Sequence, residues 1–225
     1  KEKPRNGYSP KAVDLETAVR SLALSATTTG RFRSECFKYV PDDIPQDSHL
    51  WIAKDDILIQ RANSFEYVGV SAIVDVELDR YIYPDLMMKC RANERTSAAF
   101  LHLVLSSKNM REYFRSNATG TEGNMPKINK NTVISAPCRL PPKAEQLEIV
   151  RRVETLFTFA DRLEARLQAA QIATDRLTPS LLAKAFRGEL VPQDPNDEPA
   201  SELLKRLASN TTTVSKRGRR SKAAQ

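Results

Sequence analysis

Cysteine is scarce in this chain: three among 225 residues, at Cys36, Cys90 and Cys138. An odd, widely spaced set excludes a disulfide framework and fits a reducing cytoplasm, each thiol being expected to behave as a small buried hydrophobe. Histidine is scarcer still. Only His49 and His102 occur, neither with a Cys or a second His at ligand spacing, which excludes a structural zinc site. Glycine numbers seven, with no GxxxxGK[ST] or GxGxxG run, so a phosphate-cradling loop is excluded. No apolar run approaches the roughly 18 residues that a membrane-spanning helix needs. No hydrophobic segment follows the Lys-Glu-Lys-Pro-Arg start, so no signal peptide is read there. The first residue is not Met, and a processed form or a fragment of something longer is the expectation.

Catalytic clusters are equally thin. Pro41-Asp42 and Pro84-Asp85 supply the first half of a metal-dependent nuclease pattern, but no (D/E)xK triplet follows either, and Glu35–Lys38 has the wrong spacing. The acidic pairs Asp42-Asp43 and Asp55-Asp56 read as loop caps and strand-end charges rather than metal ligands. His102 sits in a helical segment with no Ser or Asp partner and reads as a packed residue rather than a general base. The chain is expected to catalyse nothing by itself.

What is present is positive charge, helix and a seam. The formal charge is +7 with a pI near 9.4, which points to a polyanionic partner. The excess is spread thinly over residues 1–140 (+3) and 141–190 (+1) and concentrated in 191–225 (+3). Lys216, Arg217, Arg219, Arg220 and Lys222 crowd that tail, which reads as a solvated, disordered end or as supplementary attraction to a nucleic-acid backbone.

Residues 1–140 read as mixed α and β. Asp56–Arg61, Val68–Val74 and Leu86–Arg91 are short apolar runs bounded by charge or by Gly and Pro, and predict strands. The segment from Asp42 to Ser48, with Pro41 and Pro45, predicts a loop. Thr96 or Ser97 caps a helix carrying Phe100, Leu101, Val104 and Leu105, and a second short helix holds Met110, Tyr113 and Phe114. Ser116–Asn131 is too rich in Asn, Gly and Thr for regular structure.

The character changes at Pro141-Pro142. From Lys143 to about Leu177 there is no Gly or Pro, and strong helix formers dominate. Apolar residues recur at Val150, Val153, Phe157 and Ala160, then at Leu163, Leu167, Ala170, Thr174 and Leu177. The steps alternate between three and four, with one phase slip between Ala160 and Leu163. This spacing predicts a coiled-coil seam, on a helix of about 50 Å. Pro179 is expected to interrupt it, Leu181–Phe186 to continue as a short helix ended by Gly188, and Ser201–Leu207 to form a last amphipathic piece beyond a Pro-rich spacer. No internal repeat is visible.

These residues carry a resemblance. The run PPKAEQLEIVRRVETLF (Pro141–Phe157), the helix after it and LLAKAFRGELVPQDPNDEPASELLKRL (Leu181–Leu207) resemble a conserved region of the specificity subunits of bacterial type I restriction–modification systems. DILIQRANSFEYVGVSAIV (Asp56–Val74) and SNATGTEGNMPKINKNTVISAPCRLPP (Ser116–Pro142) are similar to the framework of that family's target-recognition domains. The resemblance covers most of residues 50–207.

It implies an α+β fold, a mixed α/β target-recognition domain (1–140) followed by a long coiled-coil-forming helix and a short one (141–190), then a Pro-rich spacer and basic tail (191–225). It implies a non-catalytic DNA reader that needs no cofactor of its own, S-adenosylmethionine being bound by the modification subunits. The implied partners are double-stranded DNA, modification subunits and restriction subunits. In the family two recognition domains, held apart by two antiparallel helices, read the halves of a bipartite target. Only one domain is present here, so the chain is either half of a subunit or a natural half that dimerises through the long helix.

Candidate DNA-contacting residues fall in three groups: Arg31, Arg33 and Lys38; Arg61, Asn63 and Ser64; and Asn117, Thr119, Thr121, Asn124, Lys127 and Lys130. They combine cations for phosphates with small polar groups for bases and sugars. For each, an ordinary surface role competes, and Asn117, Thr119 and Asn124 also read as turn formers. Val153, Phe157, Ala160, Leu163, Leu167, Ala170 and Leu177 are the helix-seam set, and the face near Glu145–Arg152 is a candidate docking surface for a modification subunit. The competing functions are a coiled-coil scaffold that has lost recognition and, disfavoured by the missing motifs, a nuclease or methyltransferase domain.

Overall fold

The computed structural model describes residues 3–120, 125–192 and 194–217. Among them the elements run β1 (Arg5–Asn6), β2 (Val19–Leu22), β3 (Phe37–Val40), β4 (Asp56–Gln60), β5 (Ser71–Ile73), β6 (Tyr81–Ile82), β7 (Met87–Arg91), α1 (Ala98–Ser106), α2 (Lys108–Ser116), α3 (Lys130–Ile134), α4 (Lys143–Phe186) and α5 (Ala200–Arg217), with one 3-10 turn at Leu24–Ala26. The chain divides into two compact units, Lys1–Thr158 and Phe159–Gln225.

The first unit is built on two sheets. The larger has strand order β1-β7-β4-β5, antiparallel throughout, and the smaller has order β3-β2-β6, in which β2 pairs antiparallel with β3 and parallel with β6. β4 shows why. All five of its residues are buried, and successive side chains of a strand leave opposite faces. Leu58 joins Leu22, Tyr81, Tyr83 and Met87 in a core between the sheets. Ile57 and Ile59 join Met88, Leu105, Met110, Phe114 and Ile128 in a second core beneath α1 and α2. A strand covered on both faces must be apolar on both, hence the run DILIQ. Gly69 lies against the second core with φ 75°, and a Cβ there would stand 2.6 Å from the Phe114 side chain. Only glycine fits.

Asp56, at the start of β4, is fully buried. Its carboxylate accepts the Ala53 N–H at 2.9 Å and a two-pronged Arg91 guanidinium at 2.7 and 2.9 Å, with the Lys89 ammonium 3.5 Å away. The strand-end reading of Asp55-Asp56 thus holds for Asp56.

Three expectations are corrected. None of the thiols is fully buried: Cys36 and Cys90 are partly covered and Cys138 is exposed, in the irregular connector before α4. Burial, with Asp56 nearby, still pushes the Cys90 thiol up to about 12. Pro179 does not end the long helix, which runs on to Phe186. Proline removes one hydrogen bond of the ladder and tends to kink a helix, and the Leu and Ala residues that follow propagate it. The last helix is longer than Ser201–Leu207: α5 takes in Lys216 and Arg217 of the basic tail, while Arg219, Arg220 and Lys222 lie outside the described residues.

The second unit is helical, and every large apolar side chain described in it is exposed, among them Leu163, Leu167, Leu177, Leu203 and Leu207. No helix among the described residues is long and apolar enough to cross a membrane.

Candidate nucleic-acid interface

Hydrogen bonds gather the three candidate groups around one end of the larger sheet, where β4 finishes at Gln60 and β7 begins at Met87. Gln60 is the hub. Its side-chain nitrogen donates to the Leu24 carbonyl at 3.0 Å and to the hydroxyls of Thr27 and Thr28 at 3.0 and 3.2 Å, while its oxygen accepts from Asn63 Nδ2 at 2.6 Å. One buried amide thereby ties the loop after β2, which carries Arg31 and Arg33, to the turn after β4, which carries Asn63 and Ser64. Asn63 fixes that turn, its Oδ1 accepting the Ser64 N–H at 2.8 Å.

The third group is stitched to the same place. Ala62 and Thr119 both form isolated bridges with Lys127, the Asn63 N–H donates to the Pro126 carbonyl, and the Ile128 N–H donates to the Arg61 carbonyl. Arg61 is partly buried and donates to the Asp85 carbonyl at 3.1 Å. Lys38, exposed on β3, lines a cleft of about 370 Å³ with Ser21, Leu24 and Leu86, and the Arg61 N–H donates to that same Leu86 carbonyl.

The side chains differ in how far they are spent on the fold. Asn117 caps the end of α2, donating to the Tyr113 carbonyl at 2.8 Å, and the Thr119 hydroxyl donates to the Lys127 carbonyl. Both fit the turn-former reading. Arg33 is paired with Glu35 at 2.8 Å. Arg31, Lys38, Ser64, Lys127 and Lys130 are exposed. Thr121 and Asn124 lie outside the described residues.

Several polar residues escaped the sequence reading. Arg31 shares a cavity of about 550 Å³ with Thr28, Thr29, Ser71, His102, Ser106, Arg111 and Phe157. His102 Nε2 donates to the Ser71 carbonyl oxygen at 3.2 Å, and burial holds its pKa below the ordinary value despite that bond. Arg111 and Arg115 staple the turn after β4 by donating to the carbonyls of Phe65, Glu66 and Val68. Burial, then the Arg115 charge, pulls Arg111 down to about 10, so it stays cationic at neutral pH. A second cleft, of about 360 Å³, holds Lys3, Arg5, His49, Lys89 and Arg91 with Asp47. It lies beside the Asp56–Arg91 end of the strands. No single spacing in the sequence marks these residues, because each cluster draws on several elements far apart in the chain.

The seam becomes exposed ahead of its phase slip. Val150 is buried, Val153 partly buried, and Phe157 lines the cavity beside Arg31. Beyond, Ala160, Leu163, Leu167, Ala170 and Leu177 are exposed. The first part of the seam faces the chain's own strand-rich unit. Among the described residues no group of His, Cys, Asp and Glu is arranged to hold a metal ion.

This arrangement has relatives. A family model described as the type I restriction modification DNA specificity domain matches residues 22–171. The chain is 31% identical to the type I restriction enzyme EcoKI specificity subunit of Escherichia coli, over 84% of this chain and 41% of that one. It is 34% identical to the StySPI specificity subunit of Salmonella potsdam, over 67% of this chain and 33% of that one. It thus spans well under half the length of either. Among solved structures, the HsdS subunit from Thermoanaerobacter tengcongensis matches with a TM-score of 0.58 at 21% identity, covering 88% of this chain and 48% of that one. A chain from a structure addressing assembly and conformational transition of the type I R-M system matches with a TM-score of 0.62 at 18% identity, covering 83% of this chain and 44% of that one. These two likenesses concern the fold. With two-thirds of its length matched by the family model, the chain belongs to the type I restriction modification DNA specificity domain family.

Proposed function

We propose that this chain is a DNA sequence-recognition subunit, or half of one, in a type I restriction–modification complex. The observation that carries this reading is the convergence of Arg31, Lys38, Arg61 and Lys127, with Asn63 and Ser64, around the Gln60 end of the larger sheet. Cations there suit phosphates, and small polar groups on short loops suit base edges. Family membership says which polyanion. The chain contributes no chemistry: adenine methylation, with S-adenosylmethionine, belongs to modification subunits, and translocation and cleavage to restriction subunits, all in the cytoplasm where the DNA lies. The Glu145–Arg152 face is the candidate docking surface for a modification subunit.

The exposed stretch of seam from Ala160 to Leu177 is where a second long helix packs, from another copy of this chain or from the other half of a larger subunit. Two copies related by a twofold axis read a palindromic bipartite target; unlike halves read an asymmetric one. The test is adenine methylation across the host genome with and without the gene. Loss of methyl groups from one bipartite motif is the expected result. No change in any motif, with the chain and an active modification subunit both expressed, overturns the reading and leaves an interaction scaffold in its place.

A further inference from the structure

Gln146 is a polar residue on a long, mostly solvent-exposed helix, yet it is fully buried. Every hydrogen-bonding valence its amide needs is met by backbone. Its oxygen accepts the Ser97 N–H at 2.8 Å, and its nitrogen donates to the carbonyls of Arg95 at 3.0 Å and Pro141 at 2.8 Å. Ser97 is itself the N-cap of α1, so one side chain joins the first turn of α4 to the loop between β7 and α1. Lys143, one turn earlier on the same helix, donates to the Glu94 carbonyl at 2.9 Å. Val150, one turn later on the same face, is buried.

A hydrophobic contact alone would let a helix roll or slide, since such contacts lack direction. Three directional bonds from one buried amide do not, because displacement strands that buried amide and breaks its part-buried bonds to the Ser97 N–H and the Arg95 and Pro141 carbonyls. We infer that Gln146 is a positioning residue that fixes the spacing between the two halves of the DNA target, by locking the start of α4 to the recognition domain. The inference rests on the DNA-reader reading above. It assigns Gln146 no contact with DNA. The bases read in each half-site are set elsewhere, around Gln60, so the residue governs the distance between half-sites and not their sequence. A slide of roughly 3 Å at the domain corresponds to about one base pair.

The test uses the full chain with its modification subunits and compares wild type with Gln146→Met, which keeps the volume and removes all three bonds. Two quantities are read: adenine methylation by sequencing, and hydrogen exchange at the Ser97 amide. Wild type methylates one motif with one spacer length. The expected result for Gln146→Met is Ser97 exchange faster by roughly tenfold or more, the same half-site sequences, and methylation spreading to spacers one base pair longer and shorter. Faster Ser97 exchange with an unchanged single spacer overturns the inference, even if the melting temperature falls. Should Gln146→Met fail to fold, Lys143→Ala loosens the same turn from the surface and is expected to give a smaller spread, a fixed spacer again overturning it. Absence of any bipartite motif in wild type is a different failure, that of the DNA-reader reading itself.

Discussion

The two compact units use their apolar residues in opposite ways. In the strand-rich unit Ile57, Leu58, Ile59, Met87, Met88 and Phe114 are wholly withdrawn from water, whereas in the helical unit no described residue is buried at all. The same side-chain chemistry therefore does different work. In the first unit leucine stabilises a fold; in the second it stands exposed along the helices. The unit boundary after Thr158 falls within α4, away from the expected change at Pro141-Pro142, and the apolar spacing of that helix changes phase just beyond it, between Ala160 and Leu163.

That contrast can be broken by substitution. Leu58→Ala opens a cavity between the sheets and is expected to cost about 3 kcal/mol of unfolding free energy, read by urea titration; a loss under 1 kcal/mol would mean that the inter-sheet core is not tight. Asp56→Asn leaves Arg91 and Lys89 beside a neutral group and should cost about 2 kcal/mol, less than for a fully buried pair because Arg91 is about half exposed. Arg31→Ala with Lys127→Ala is expected to leave the melting temperature nearly unchanged, weaken DNA binding about equally on all sequences, and lower the slope of log K against log salt by about 2. An unchanged slope would remove both from the interface.

Acid offers a smaller effect. His102 has its folded pKa depressed by burial, so below the unfolded value, near 6.5, the unfolded chain binds more protons than the folded one. Stability is then full above that pH and falls as the pH drops through it. His102→Gln should flatten the stability profile between pH 7 and 5; an unaltered profile would show that another group titrates. The smallest effect sharpens the comparison most. Leu163→Ala with Leu167→Ala should change the chain's own unfolding free energy by less than about 0.5 kcal/mol, yet weaken its association, measured by sedimentation, many-fold.

Legibility followed the same division. β4, β5 and β7 stood out as short apolar runs bounded by charge or by Gly and Pro, and α1, α2 and α4 through apolar spacing, α1 also through a capping Thr or Ser. The smaller sheet did not: VRSL, FKYV and YI are short, mix charge and aromatics, and pair only across long stretches of chain. α3, five residues capped by Asn129, begins in the last two residues of the Ser116–Asn131 stretch that reads as irregular and is not read as a helix. The candidate interface was legible as a set of loops, not as one place, since the residue that unites it is a glutamine at a strand end. Gln60 and Gln146 look like any exposed glutamine until the backbone groups around them are known.

The parallel pairing of β2 with β6 sets an order of events. It brings Arg20 beside Tyr81 and Ser21 beside Ile82, while β3, β4 and β5 all lie between them in the chain. β2 emerges early in synthesis and its pairing with β6 must bridge that whole length of chain. Helices complete in microseconds from neighbouring residues, and non-local strand pairs are slower by orders of magnitude. Closing the smaller sheet is thus expected to be slower than forming α4 and α5.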